Sequence, residues 1–408
     1  MNSHSWLFCG RTLRWICALL VMGAVGLQTA RAQPTAPGET AKQPVAVASA
    51  VADSSNSATA PPVDVAAVWR GLQITGLVDV YLGYNTNRPP DGLTPYRNFD
   101  TRHNDASLNL AKLVVETIVD AENPIGFRAD FTYGPSTDLI NAAEPSRGEA
   151  WQHIQQLYGS ARLPVGNGLR FDFGKFVTPF GAEVIETPGN WNYSRSLLFA
   201  LAIPYYHAGL RASYPINDKL TVTGFVVNGW NDVDDRNSSK SGAVSLAFKP
   251  HEKLSINHTY MGGRETDSSG LRHLHDTVVT VTANSRLSLM FNVDVGKDST
   301  AGVPVNWSGA AFYARFQVSD SVALVPRYEF FRDRDGFMTG RAQTLQEITL
   351  TGEYRIKRGP VLRLEYRHDN SDEPVFLNHR DRFRTGQNTV LIGAYYEIAN
   401  LVPWLKSL

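Results

Sequence analysis

Two serine–histidine neighbourhoods are the first candidates for chemistry: His207 with Ser213, and Ser255 with His258. Acyl transfer needs a nucleophile and a base within hydrogen-bond reach of each other, with an acid to orient the base. Neither spacing assembles a serine, a histidine and a carboxylate, so the plainer reading makes all four strand residues without chemistry. Asp232-Val233-Asp234-Asp235 and Asp333-Arg334-Asp335-Gly336 have the acidic density of calcium loops but lack the later bidentate glutamate at the required offset. Solvated loop charge is expected there. His273 and His275 would share a metal only with further ligands that the sequence does not place. Both cysteines, Cys9 and Cys17, fall in a leader-like segment, which leaves no thiol downstream for a zinc site, a disulfide or a nucleophile. No catalytic residue, metal or cofactor is assigned.

The chain offers instead opposite charges two residues apart: Arg128 with Asp130, Arg170 with Asp172, Arg327 with Glu329, and Arg363 with Glu365. In extended chain, positions i and i+2 share one face. Such charges either pair with each other beside water or set a field across it, and both arrangements demand strands.

Hydropathy supplies the strands. From Leu72 onward apolar residues recur at every second position in segments of about ten, the period of a strand rather than a helix. Leu287, Leu289, Phe291, Val293 and Val295 alternate with Ser288, Met290, Asn292 and Asp294, and Leu362, Leu364 and Tyr366 with Arg363, Glu365 and Arg367. Sixteen segments follow this rule: 72–84, 106–119, 126–134, 151–163, 168–175, 206–215, 219–229, 242–249, 253–262, 276–283, 286–297, 306–318, 321–331, 344–356, 360–369 and 388–398. Parity slips at Lys112-Leu113 and Phe225-Val226, where bulges are expected. Seven short connections rich in Asn, Asp, Pro, Gly and Ser alternate with eight longer ones: 85–105, 135–150, 176–205, 230–241, 263–275, 298–305, 332–343 and 370–387.

An even strand count with short turns at one end and long loops at the other is the plan of an up-and-down transmembrane β-barrel, closed because lipid cannot satisfy an open edge. Tyr81, Tyr84, Tyr133, Tyr158, Tyr214, Trp230, Tyr260, Trp307, Tyr328, Tyr354, Tyr366 and Tyr396 fall near segment ends and suit the membrane–water interface. A soluble β-sandwich also alternates, but has no need of such repeated charge pairing on its polar face.

Ahead of the barrel, Arg11 and Arg14, an apolar run over 15–27 and Ala30-Arg31-Ala32 read as a signal peptide over 1–32, too short in its apolar part to cross a bilayer as a helix. The rest carries 36 basic against 39 acidic side chains, since 1–32 contain three of the 39 basic residues and no acid. That balance does not suit a nucleic-acid surface, which should be markedly basic. Residues 33–66, dominated by Pro, Ala, Ser, Thr and Val, lack the means to form a core and read as a disordered periplasmic lead-in. The barrel is assigned to 67–408.

Phe171-Asp172-Phe173-Gly174-Lys175-Phe176-Val177-Thr178-Pro179-Phe180-Gly181, then Asn190-Trp191-Asn192-Tyr193-Ser194-Arg195-Ser196 and His207-Ala208-Gly209, resemble the β-barrel porin-2, or OmpL-like, family. Gly76-Leu77-Val78-Asp79-Val80-Tyr81 and Gly126-Phe127-Arg128-Ala129-Asp130 are similar too. The resemblance implies a porin-like barrel of the Gram-negative outer membrane without a cofactor, and it names no solute. The chain departs from many outer-membrane barrels in passing Tyr395-Tyr396 and continuing through Pro403-Trp404.

A sixteen-stranded barrel encloses an aqueous lumen. By analogy with general porins, loop 176–205 is expected to fold inward and narrow it. Glu183 and Glu186 on one arm and Arg195 on the other, facing Arg128, Arg170, Arg211 and Arg363 with Asp130, Asp172 and Glu365, are the expected pore lining. The expected function is passive diffusion of small polar solutes or ions, with outer-membrane lipid around the barrel, no nucleic acid, and a homo-oligomer by the same analogy. A structural or adhesive barrel with a plugged lumen and partner-binding loops is the alternative, and a barrel hydrolase is the third reading.

Overall fold

Alternation becomes architecture in the computed structural model, which describes residues 71–142, 149–235, 237–266 and 270–405. The export segment expected over 1–32 and the lead-in over 33–66 lie outside the described residues. Eighteen strands occur among the described residues: β1 (Leu72–Asn85), β2 (Asp105–Thr117), β3 (Ile125–Tyr133), β4 (Ile154–Leu163), β5 (Leu169–Val177), β6 (Tyr206–Asn217), β7 (Leu220–Val227), β8 (Ser241–His251), β9 (Leu254–Gly263), β10 (Arg272–Asn284), β11 (Leu287–Thr300), β12 (Val303–Gln317), β13 (Val322–Asp333), β14 (Gln343–Arg355), β15 (Val361–Ser371), β16 (Phe376–Leu377), β17 (Phe383–Arg384) and β18 (Gly386–Ile398). Sixteen form one closed antiparallel barrel; β16 and β17 make a separate ribbon in a loop. Closure is direct, β1 pairing with β18 from Gly76 opposite Ile398 to Asn85 opposite Thr389. No described helix is long and apolar enough to cross a membrane.

Strand period sorts the side chains into two environments. Val78, Val80, Leu82, Leu289, Phe312, Leu350, Leu364 and Ile392 stand exposed on the outer face, while Asp79, Asp130, Glu329, Thr349 and Thr351 are buried on the inner one. This inverts a soluble protein, as expected where the outer solvent is hydrocarbon.

Several local expectations need correction. The bulge in β2 is at Asn109 rather than Lys112-Leu113: Leu110 pairs with Asp79 and Leu108 with Val80, leaving Asn109 extra. The bulge turns its amide to Asp79 (2.8 Å). No bulge occurs at Phe225-Val226, whose register with β6 is continuous. Phe225 is buried inside and Val226 exposed outside; parity seemed to slip only because part of the inner face is apolar. The span 298–305 is a tight hairpin rather than a loop, turning at Ala301 and Gly302 with φ of 50° and 83°, the double positive φ that matches strand twist. Of the expected interfacial aromatics, Tyr84, Tyr133, Tyr328, Tyr354, Tyr366 and Tyr396 are exposed, but Tyr81, Tyr158 and Trp307 are buried. The Trp307 indole N–H donates to the Ala202 carbonyl (3.1 Å), so that ring serves the loop within the barrel.

The apolar core lies in the same place. Phe176, Phe180, Ile185, Leu197, Leu198, Phe199 and Ile203 form one buried cluster with Phe225, Trp307 and Phe331 of the wall. A lumen filled by side chains alone would not need it; a second layer of chain inside the barrel does.

Candidate functional site: the inward loop and its charged wall

The path of loop 178–205 is set where it leaves the sheet. Gly174 of β5 pairs with Gly209 of β6, at φ of 138° and 153°. A Cβ would lie 2.2 Å from the Leu157 carbonyl oxygen at the first and 2.3 Å from that of Val226 at the second, so only glycine fits either position. Just beyond, the Thr178 N–H donates to the Tyr205 carbonyl (3.0 Å) and closes the loop's base. His207 stands beside this closure, its Nε2 3.2 Å from Thr178 Oγ1 and its Nδ1 2.9 Å from the Gly229 carbonyl.

A loop within a barrel buries backbone polar groups that no ladder satisfies, and here wall side chains satisfy them. Glu365 accepts the N–H groups of Tyr193 (2.8 Å) and Ser194 (3.0 Å). Glu329 accepts those of Leu197 (2.7 Å) and Leu198 (3.2 Å). Arg363 donates to the carbonyls of Thr187, Asn190 and Asn192, Arg327 to that of Ser194 (2.8 Å), and Arg367 to that of Arg195 (2.7 Å). Two strands along from β15, Asp79 of β1 accepts the Thr187 hydroxyl (2.6 Å) and the Tyr193 hydroxyl (2.7 Å). Asn192 reaches the Val325 carbonyl (3.1 Å) and Thr351 (2.7 Å).

The arginines doing this are each met by carboxylates. Arg327 pairs with Glu347 (2.6 Å) and Glu183 (2.9 Å), Arg367 with Asp369 (2.6 Å), and Arg363 with Glu353 (2.8 Å), which also holds Arg315 (2.7 Å). Buried ions persist only when paired and hydrogen-bonded in this way. Loop 86–104 caps the arrangement: Phe99 packs edge-on against Phe199 at 5.9 Å, and Arg97 bridges Asp100 (3.3 Å) and Asp369 (3.6 Å). Burial pushes the Asp100 carboxyl up to about 6, against the pull of Arg97.

The ten residues expected to line a pore therefore fall into two groups. Glu183, Arg195, Arg363 and Glu365 are buried between loop and wall and do not face water. Arg195 spans no gap; it holds the carbonyls of Val184, Tyr193 and Ile185 within its own loop. Arg363 takes Glu353, not Glu365, as its partner. The other group meets on β2–β6. Arg128 bonds Asp130 (2.8 Å) and Glu116 (3.1 Å), while Arg170 (2.9 Å) and Arg211 (2.8 Å) share Asp172. Lys112 joins Asp130 (2.6 Å) to the loop's Glu186. Lys112 is buried, but the arginines remain wet: the side chains of Arg128, Arg170 and Arg211 are 27, 38 and 21% exposed, above Asp130 and Asp172 at 0 and 3%.

The expected pore lining left out Asp79, Lys112, Arg327, Glu329, Glu347, Glu353, Arg367 and Asp369, although Arg327 and Glu329 stand out in the sequence as a charge pair. Their signal was parity, each lying on the inner face of its strand, but parity does not say which inner residues meet a loop. The other candidates for chemistry do not assemble. Ser213 bonds Thr223 (3.0 Å), and His258 pairs across the sheet with Thr277 (2.9 Å), on the opposite face of β9 from Ser255. Asp333 takes the N–H groups of Phe337, Met338 and Thr339, an anchor for its own loop. Among the described residues no three His, Cys, Asp or Glu side chains are placed to hold a metal.

The model of the family described as "Putative beta-barrel porin-2, OmpL-like" matches residues 71–398. The chain belongs to this family. Family membership and the closed sheet together make it a porin-like barrel of the outer membrane. Similar solved structures include the trimer form of OmpT from Vibrio cholerae (12% identity, 80% of this chain and 98% of that chain, TM-score 0.55) and an anion-selective porin from Comamonas acidovorans (11%, 80% and 99%, 0.55). The outer membrane channel DcaP of Acinetobacter baumannii is also similar (10%, 80% and 97%, 0.51). At such identities the likeness is one of fold. No curated protein matches the chain. The stretches that carried the family resemblance, around Gly174, Asn190–Ser196 and Gly209, are those that shape and seat the inward loop.

Proposed function

We propose that the barrel is a passive pore for small hydrophilic solutes and ions, conducting through the part of the lumen that loop 178–205 leaves open. One observation carries the reading: inside a closed sheet, Arg128, Arg170 and Arg211 keep a fifth to more than a third of their side chains in water while Asp130 and Asp172, which they hold, are buried. A face that wets three guanidinium groups against one exposed carboxylate, Glu116, favours anions over cations of equal size. Proteoliposomes containing the protein should swell in isotonic solutions of small sugars at a rate that falls with sugar size; impermeable proteoliposomes holding folded protein would contradict the reading. Replacing Arg128, Arg170 and Arg211 together by Gln should move the zero-current potential in a salt gradient toward cation preference, and an unmoved potential would remove these residues from the path.

The dense contact between loop and wall favours a second reading, a barrel shut by its own loop whose long outer loops bind a partner. It differs in one measurable respect, since a shut barrel passes no sugar. The homo-oligomer expected from general porins is part of the proposal, and cross-linking in mild detergent tests it.

A further inference from the structure

Four adjacent strands, β10 to β13, carry an outward-facing patch unlike the rest of the lipid-facing wall. Cross-strand register aligns His275, Val295, Ser308 and Arg332 in one row. One step nearer the long-loop end, His273 lies opposite Lys297 and Lys297 opposite Asn306, with Arg334 just past Asp333 at the end of β13. The two rows line a shallow groove of about 610 Å³. Lys297, Arg332 and Arg334 are exposed, and none forms an ion pair with a described residue.

This contrasts with the lumen, where the arginines on β3, β5, β6, β13 and β15 have carboxylates against them. Acids on the same strands turn away: Asp294 and Asp298 follow the inner parity, and Asp298 is taken by Arg272 (2.7 Å). Asp335, at the rim, accepts the backbone N–H of Asn306 (2.8 Å). Immediately below stand exposed Phe312, Tyr328 and Phe330. Arg332 is two residues along β13 from Phe330, roughly 7 Å by strand rise, which puts its guanidinium at the outer border of the hydrocarbon belt. Isolated cations on a lipid-facing wall are costly unless an anion meets them at that border.

We propose that this groove binds a phosphate of the phosphorylated glycolipid of the outer leaflet. Arg332 and Arg334 supply planar forks that match phosphate oxygens, and Lys297 a third charge. His273 and Asn306 add hydrogen-bonding groups beside them, while Val295 and Phe330 lie against the first acyl carbons. The site is outside the barrel, so it does not depend on whether the lumen conducts.

The test is native mass spectrometry of the detergent-solubilised protein titrated with bis-phosphorylated lipid A and, separately, with its dephosphorylated form. The wild type should retain one bis-phosphorylated lipid per barrel in preference to the dephosphorylated one. Lys297→Gln, Arg332→Gln and Arg334→Gln combined should weaken that binding on the order of a hundredfold, as three surface cations would, with folding and conductance unchanged. If the triple variant does not fold, Arg332→Gln alone, together with weakening of wild-type binding by salt, gives the same reading. Equal affinity for the two lipids, equal affinity of wild type and variant, or a change in oligomeric state as the variant's only effect would overturn the proposal, the last assigning this face to contact between barrels.

Discussion

The paired glycines at the neck of the inward loop are required by backbone geometry. Gly174 and Gly209 hold φ values that L residues rarely adopt, and each has a carbonyl oxygen where a Cβ would go. Gly174→Ala should therefore cost a few kcal/mol, on the order of 1 to 3 for the backbone strain alone. The fraction of protein in the heat-resistant folded form on a gel should fall clearly below that of wild type; an unchanged fraction would mean that the neck relaxes freely. A second residue-scale consequence concerns Asp100, whose buried carboxyl is raised to about 6. An acid raised by folding stabilises most when protonated, so this contribution is complete below the ordinary carboxylate range and is lost as pH climbs through about 6. The amide of Thr94, which donates to Thr101 across the same loop (2.8 Å), should exchange hydrogen with higher protection at pH 5 than at pH 7.5, after correction for intrinsic rates. Asp100→Asn should level the two values, and a protection factor independent of pH in the wild type would contradict the assignment.

Loop 178–205 and the β13–β15 wall form one cooperative element, because the wall's charges hold the loop's backbone and each other. Arg327 is central, touching Glu183, Glu347 and Ser194 from a fully buried position. Arg327→Met would leave Glu183, Glu329 and Glu347 short of a counter-charge and should destabilise by roughly 3 to 5 kcal/mol. The urea midpoint in micelles should drop, and any channel steps should become noisy as the loop detaches; a stable, quiet variant would show that the loop is held by its apolar cluster instead. The element's strands were legible in the sequence because alternation survives burial on one face. Its contacts were not. Arg195 and Glu183 looked like opposite arms across a gap, yet Arg195 folds back on its own carbonyls, since a buried loop needs donors more than a field. Phe225 and Trp307 were hard to place for a related reason: an apolar inner layer erases the polar-in rule that identifies a lumen.

At the scale of the whole molecule, the sixteen strands, their antiparallel order and closure through β1 and β18 follow from a period of two and alternating connection lengths, both visible in residues 72–398. Location of the loop's seat does not follow from period, because every inner-facing charge has the same parity whether it meets water or chain. The structure separates the two, with a dry clamp on β13–β15 and a wet arginine face on β3, β5 and β6. That separation is the basis for reading the barrel as a narrowed pore, and single-channel recording of the refolded protein in a planar bilayer tests it most directly. Discrete, lasting open steps are predicted, enlarged when residues 185–196 are replaced by a short glycine–serine link; a folded barrel that stays silent in both forms would contradict the account.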